Sequence, residues 1–370
     1  EVATNGGIFR TGAKATGGIS SSVGPGKLII RNSILRDSIY EIYDITNADI
    51  YDNQFFVDSL YLDQTLANSN TYIDGNKFNV RSSAFGMDVL NSWTYFQSGE
   101  RASGTHLGNA YRGNVYVKTA PASSTVYYNS HWGRNAMDSI YGNFTADMKD
   151  LSQLWFAWGN ATNSKVWIGG NVDVNVPGTS QTGAFNVTTG NVTVVGNLDV
   201  FWPRGTIDFT PTSPNKFTVG GTFSFDGGVL NDVVSYDFQF FEVGTAGGTI
   251  KTGVKATGGS GGSNGPADLN IRNSTLRFGL AEFYGINRFD ILDNKLYGDS
   301  LFVEVNNDGN YSYLDGNLFD VKTVAISSNR KINSNWLWIN SAARSDNSTA
   351  SAKGNIYKGN LSVLNLGDYN

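Results

Sequence analysis

The chain repeats itself at a long interval. TGAKATGG at residues 11–18 returns as TGVKATGG at 252–259, and the shift of 241 positions aligns the surrounding residues as well. Glu1-Val2 meets Glu242-Val243, LIIRNSILR from Leu28 meets LNIRNSTLR from Leu269, and YIDGNKF from Tyr72 meets YLDGNLF from Tyr313. The same register places Gly113-Asn114 on Gly354-Asn355. The expected organisation is a first long repeat over 1–241 and the first half of a second copy over 242–370. The chain therefore reads as an excerpt from a longer repetitive polypeptide, a pattern that points to stacked repeats rather than a mosaic of unrelated domains.

A shorter period lies inside the long one. Asn32, Asn53 and Asn76 each sit between apolar runs, 21 and then 23 residues apart, and Asn114 follows after 38, near two further intervals. Asn273, Asn294, Asn317 and Asn355 keep that spacing in the second copy. A step near 20 with alternating apolar residues predicts an all-β fold, a parallel right-handed β-helix with rungs of about 20 residues, or roughly a dozen rungs per long repeat. Alternate side chains of a strand face one side, so Ile50 enters the core while Asp49 and Tyr51 face outward. Asn and Gly tolerate the left-handed backbone that tight turns require, and stacked Asn amides can form a ladder. Residues 164–230 show clean alternation punctuated by Gly, whereas 83–160 are the least regular stretch.

Composition agrees with many short strands. The chain has 44 Gly, 7 Pro, no Cys, 13% aromatic and 16% charged residues. That is too apolar and aromatic for a disordered chain. The net charge of −5 and the lack of a Lys/Arg cluster argue against nucleic acid as a partner. The absence of Cys removes disulfides and thiolate chemistry together. No apolar run approaches the roughly 20 residues of a membrane-crossing helix.

The steps Gly170-Asn171-Val172, Val192 to Val200 (VTVVGNLDV) and Gly205-Thr206-Ile207-Asp208-Phe209 resemble β-helical passenger segments of the Helicobacter vacuolating-cytotoxin family of large autotransporters. About 45 residues from Ser164 carry this resemblance. It implies an exported passenger acting at the bacterial surface in colonisation or host contact. Pore formation is not implied, because the apolar N-terminal stretch on which that activity depends has no match here.

Recurring acidic residues raise the question of catalysis. Asp49 and Asp52 return as Asp290 and Asp293, Asp58 as Asp299, and Asp74 as Asp315. Paired carboxylates could serve as acid and base on a glycosidic bond, as in polysaccharide lyases and hydrolases built on the same scaffold, or could hold a structural calcium. Asp at strand-to-turn junctions is, however, favoured for local bonding, and that reading leads. The two His, His106 and His131, have no partner at ligand spacing. His106 falls on Asn347 in the 241-residue register, so it is not duplicated. The expectation is no catalytic set, no cofactor and no metal.

Tryptophans offer a different use. Trp155 with Trp158 and Trp336 with Trp338 could form sugar-stacking platforms, since flat rings suit pyranose faces; Trp336 and Trp338, two apart and so on one strand face, are the candidate surface aromatics. Packing in the core or against a partner is the competing use. The sequence thus favours a non-enzymatic, exported bacterial surface protein whose elongated scaffold serves adhesion, host contact or assembly. Its expected partners are other copies or neighbouring repeats, and a host-surface protein or glycan. A filament, sheath or surface-layer subunit and a polysaccharide-cleaving enzyme are the alternatives.

Overall fold

The computed structural model describes residues 6–12, 24–64, 68–87, 94–101, 104–119, 124–129, 136–149, 152–157, 164–177, 183–228, 235–255, 265–305, 312–328 and 353–365. The described residues fall into two compact units, Glu1–Gly196 and Asn197–Asn370. Every strand pairing within either unit is parallel, and the described residues contain no α-helix. Each unit is a parallel β-helix, the fold class that the alternation and turn spacing predict.

In the first unit one sheet stacks Lys27–Arg31, Asn47–Tyr51, Asn70–Asp74, Thr94–Ser98, Ser124–Tyr128 and Gln153–Phe156 in sequence order. A second sheet stacks Ile39–Ile45, Gln54–Gln64 and Lys77–Met87 and continues through Asn114–Thr119 and Phe144–Asp147. The second unit repeats the plan, with Ser235–Gln239, Asp268–Arg272, Arg288–Leu292 and Tyr313–Asp315 in one sheet and Thr275–Ile286, Lys295–Val305 and Leu318–Ser328 in the other.

Alternation sets the core. Gln54–Gln64 (QFFVDSLYLDQ) buries Phe55, Val57, Leu60 and Leu62 and turns the residues between them outward. Parallel stacking in register brings like residues together, so Phe55, Phe78 and Tyr111 form a buried aromatic file with centroids 4.9 and 4.6 Å apart. These spacings match the separation of hydrogen-bonded strands.

Rung length is more variable than about 20 residues. The step is 20 from Ser33 to Asn53, 23 from Asn53 to Asn76, then 33 from Asn76 to Asn109. Later rungs take 29 and 28. Strands must match their neighbours, whereas the loops between them need not, because a loop returns to the surface whatever its length. Among the described residues the first repeat holds nine strands of the first sheet type, the last beginning at Ser235.

Tyr51 departs from the sequence expectation. It lies on the outward side of its strand yet is only 6% exposed. The guanidinium groups of Arg31 and Arg101 lie 5.1 and 5.0 Å from its ring centroid and cover it.

Candidate functional site

The turn that follows the first sheet type is where both repeats concentrate their buried polar groups. Asn53 donates from its backbone N–H and its side-chain Nδ2 to Asn76 Oδ1, both at 3.0 Å, and Nδ2 also reaches the Ile30 carbonyl at 2.8 Å. Asn76 repeats the pattern one rung on, donating to Asn109 Oδ1 at 3.1 and 3.0 Å and to the Ile50 carbonyl at 2.7 Å. In the second unit Asn294 donates to Asn317 and Asn317 to Asn355 in the same geometry. All of these Asn but Asn355 are at most 2% exposed, so each ladder bond satisfies groups that would otherwise be costly to bury.

Not every expected Asn belongs to this ladder. Asn32 and Asn273 precede its first step, at φ of 51° and 49°, and the N–H of Ser33 or Ser274 reaches the next Asn instead. Asn114 is displaced further. The buried position above Asn76 belongs to Asn109, whose Nδ2 donates to the Ile73 carbonyl as that of Asn355 does to Leu314. Asn114 sits on the exposed side, where Asn143 N donates to its Oδ1 and Asn171 N donates in turn to Asn143.

The two copies are therefore offset by 241 residues up to Asn76 and by 246 from Asn109 onward. GNAYRGN at 108–114 is the counterpart of GNIYKGN at 354–360. The rung step of 33 in the first copy becomes 38 in the second, so five residues are added within that rung. Two further contacts fit the same offset. Phe78 stacks on Tyr111 at 4.6 Å and Phe319 on Tyr357 at 4.8 Å. Gly113 lies against the carbonyls of Val80 and Arg81, and Gly359 against those of Val321 and Lys322. The apparent match of Gly113-Asn114 with Gly354-Asn355 arose because Gly-Asn occurs twice in this heptapeptide. With the offset corrected, His106 falls on Ala352 rather than Asn347.

Beside the ladder the turn aspartates form a clamp. Asp52 and Asp293 both take φ of 58°, and the following Gly75 and Gly316 take 69° and 70°. The buried Asp74 carboxylate accepts the backbone N–H groups of Leu107 and Gly108, as Asp315 accepts those of Lys353 and Gly354. In the first copy Arg101 bridges two rungs, holding Asp52 bidentately at 2.8 and 2.6 Å and Asp74 at 2.5 Å. This bonding holds the Asp52 carboxyl below its ordinary range. In the second copy the cation comes from another position: Lys353, counterpart of Leu107, places Nζ 2.7 Å from Asp293.

The other recurring acids are likewise paired. Asp49 meets Arg31 and Asp290 meets Arg272, at 2.7 and 2.8 Å. Asp58 faces Arg81 as Asp299 faces Lys322. Such pairing suits fixed ends and turns. Among the described residues no three His, Asp or Glu side chains are grouped to hold a metal ion.

One buried acid has no ionic partner among these pairs. Asp138 occupies the ladder position above Asn109, taking its N–H at 2.5 Å on Oδ1 and the Ser98 hydroxyl at 3.1 Å on Oδ2. Burial pushes its carboxyl up to about 7. Its position could have been found in sequence only by knowing the 29-residue step from Asn109.

The outward face carries aromatics. Tyr95, Tyr127 and Trp155 stack on adjacent rungs at 5.5 and 6.0 Å, and Trp155 Nε1 donates to Gln153. Trp336, Trp338, Trp158 and His131 lie outside the described residues. Trp202 is fully buried in the core.

No family model, curated protein or solved structure matches this chain.

Proposed function

We propose that this protein is a non-enzymatic scaffold, an exported bacterial surface protein whose stacked rungs present loops and outward faces for adhesion, host contact or assembly. The observation that carries this reading is what the two copies share. Both keep the buried Asn ladder and the aspartate clamp on backbone amides. The cation of the clamp changes both residue type and position, from Arg101 to Lys353. A catalytic pair requires fixed geometry around the reacting bond, whereas a clamp requires only a positive charge within reach. Nearest-neighbour stacking lets such units multiply without redesign of the core.

Immunogold labelling of intact producing cells, together with fractionation, tests the location. Label on the cell exterior or on shed material is expected, and label confined to the cytoplasm overturns the surface reading. A screen for polysaccharide cleavage tests the rest: activity that disappears in Asp52→Asn or Asp293→Asn while the fold persists would establish an enzyme instead.

A further inference from the structure

The second sheet type of the first unit carries an aromatic patch in which one ring has been given a prepared seat. Trp167 and Gly169 lie on the strand Lys165–Ile168 and the residue that follows it. Gly169 N donates to the Ile140 carbonyl and Val195 N to the Ile168 carbonyl, so Tyr141, Gly169 and Val195 succeed one another on three rungs. The outer two are well exposed, Tyr141 at 61% and Val195 at 49%. Between them Gly169 leaves a notch, and the indole of Trp167 lies in it: a Cβ on Gly169 would come within 2.7 Å of Trp167 Cη2 and 3.2 Å of Cζ3. Tyr141 stands edgewise beside the indole, with centroids 5.3 Å apart and planes at 66°.

This arrangement differs from the Tyr95, Tyr127 and Trp155 file, whose rings cover one another's faces. Trp167 is half-buried, so part of the indole stays open to solvent while its outer rim, Cη2 and Cζ3, lies over Gly169. Ser139 and Thr193, the strand partners of Trp167, flank it with hydroxyls. The patch spans three rungs, about 10 Å along the stack, far smaller than the roughly 800 Å² per partner of a stable protein interface. Its size and its hydroxyl rim fit a single ring that has an apolar face and a polar edge.

We propose that Trp167, seated on Gly169 beside Tyr141, is a stacking platform for a pyranose ring of a neutral saccharide. The inference does not depend on where the protein resides, so it stands or falls separately from the surface reading.

The test is binding of the whole chain to an array of neutral hexose and N-acetylhexosamine oligosaccharides, followed by titration of the best-bound oligosaccharide and saturation-transfer NMR. Binding is expected, and Trp167→Ala should weaken it by roughly tenfold or more. Gly169→Ala is the sharper variant, because it retains the indole but displaces it from its seat; the added Cβ would also stand 3.0 Å from the Tyr141 carbonyl, a contact that a shift of a few tenths of an ångström relieves. It should lose affinity to a similar degree, with an unchanged far-UV circular dichroism spectrum. Absence of binding to every neutral oligosaccharide, or equal affinity in the native chain and both variants, would overturn the proposal. Selective retention on a peptide array would overturn it as well.

Discussion

At the scale of single residues, the polar interior is organised by what a side chain can offer to the rung above and below it. Asn suits the ladder because its amide both accepts and donates. Asp138 can only accept once ionised, and its burial raises its carboxyl from 3.8 to about 7. Since the folded value lies above the unfolded one, Asp138 costs nothing below about pH 4. Its penalty grows as pH rises and is complete above about pH 7. Ser98, Asn109, Tyr111, Tyr128 and the carboxyl of Asp74 surround it. Asp138→Asn, which restores a ladder amide, should stabilise the first unit by on the order of 2–4 kcal/mol at pH 8 and have little effect near pH 4. Chemical denaturation at the two pH values would check this, and equal effects at both would contradict it. Asn76→Ala should act oppositely, costing about 2–4 kcal/mol, because it orphans the backbone N–H of the buried Asn53 and removes the Asn76 donor from the Ile50 carbonyl.

At the scale of the element, close approach between rungs decides which substitutions a strand junction can accept. Gly113 would place a Cβ 2.1 Å from the Arg81 carbonyl, and Gly359 would place one 2.0 Å from that of Val321. Backbone cannot yield as a long side chain can, so Gly113→Ala should cost about 2 kcal/mol or more and loosen the contact between Lys77–Met87 and Asn114–Thr119. Hydrogen exchange at Tyr116 and Lys118 would report it. The Arg101 clamp predicts a pH effect of the opposite sign to that of Asp138. Asp52 is held low by its bond to Arg101, so this contribution is present above about pH 4 and fades as pH falls below it. Arg101→Ala should remove that acid sensitivity at Asp52, observable as a return of its carboxyl resonance titration toward 3.8. The strand pattern and the turn Asn and Asp were legible in sequence because they follow from alternation and left-handed turns. The Arg101 bridge was not, since it joins Asp52 and Asp74 from 49 and 27 residues away.

At the scale of the whole molecule, stability in stacked repeats is a sum over neighbouring rungs, so lesions should remain local. Asn76→Ala is expected to speed exchange around Asn53 and Asn109 and leave the equivalent amides around Asn294 and Asn355 unchanged. Hydrogen exchange with mass spectrometry on the full chain measures both at once, and equal loss of protection in the two copies would show a single cooperative unit instead. The long repeat and its β-helical character were open to reading from sequence alone, because recurrence, period-two alternation and turn chemistry are local properties of the chain. Which Gly-Asn pair enters the buried ladder, where five residues are added, and that Trp167 rests on Gly169 were decided only by the tertiary structure. The physical reason is that sequence register counts residues along the backbone, whereas a β-helix is held in register by hydrogen bonds between rungs, and loops of unequal length separate the two counts.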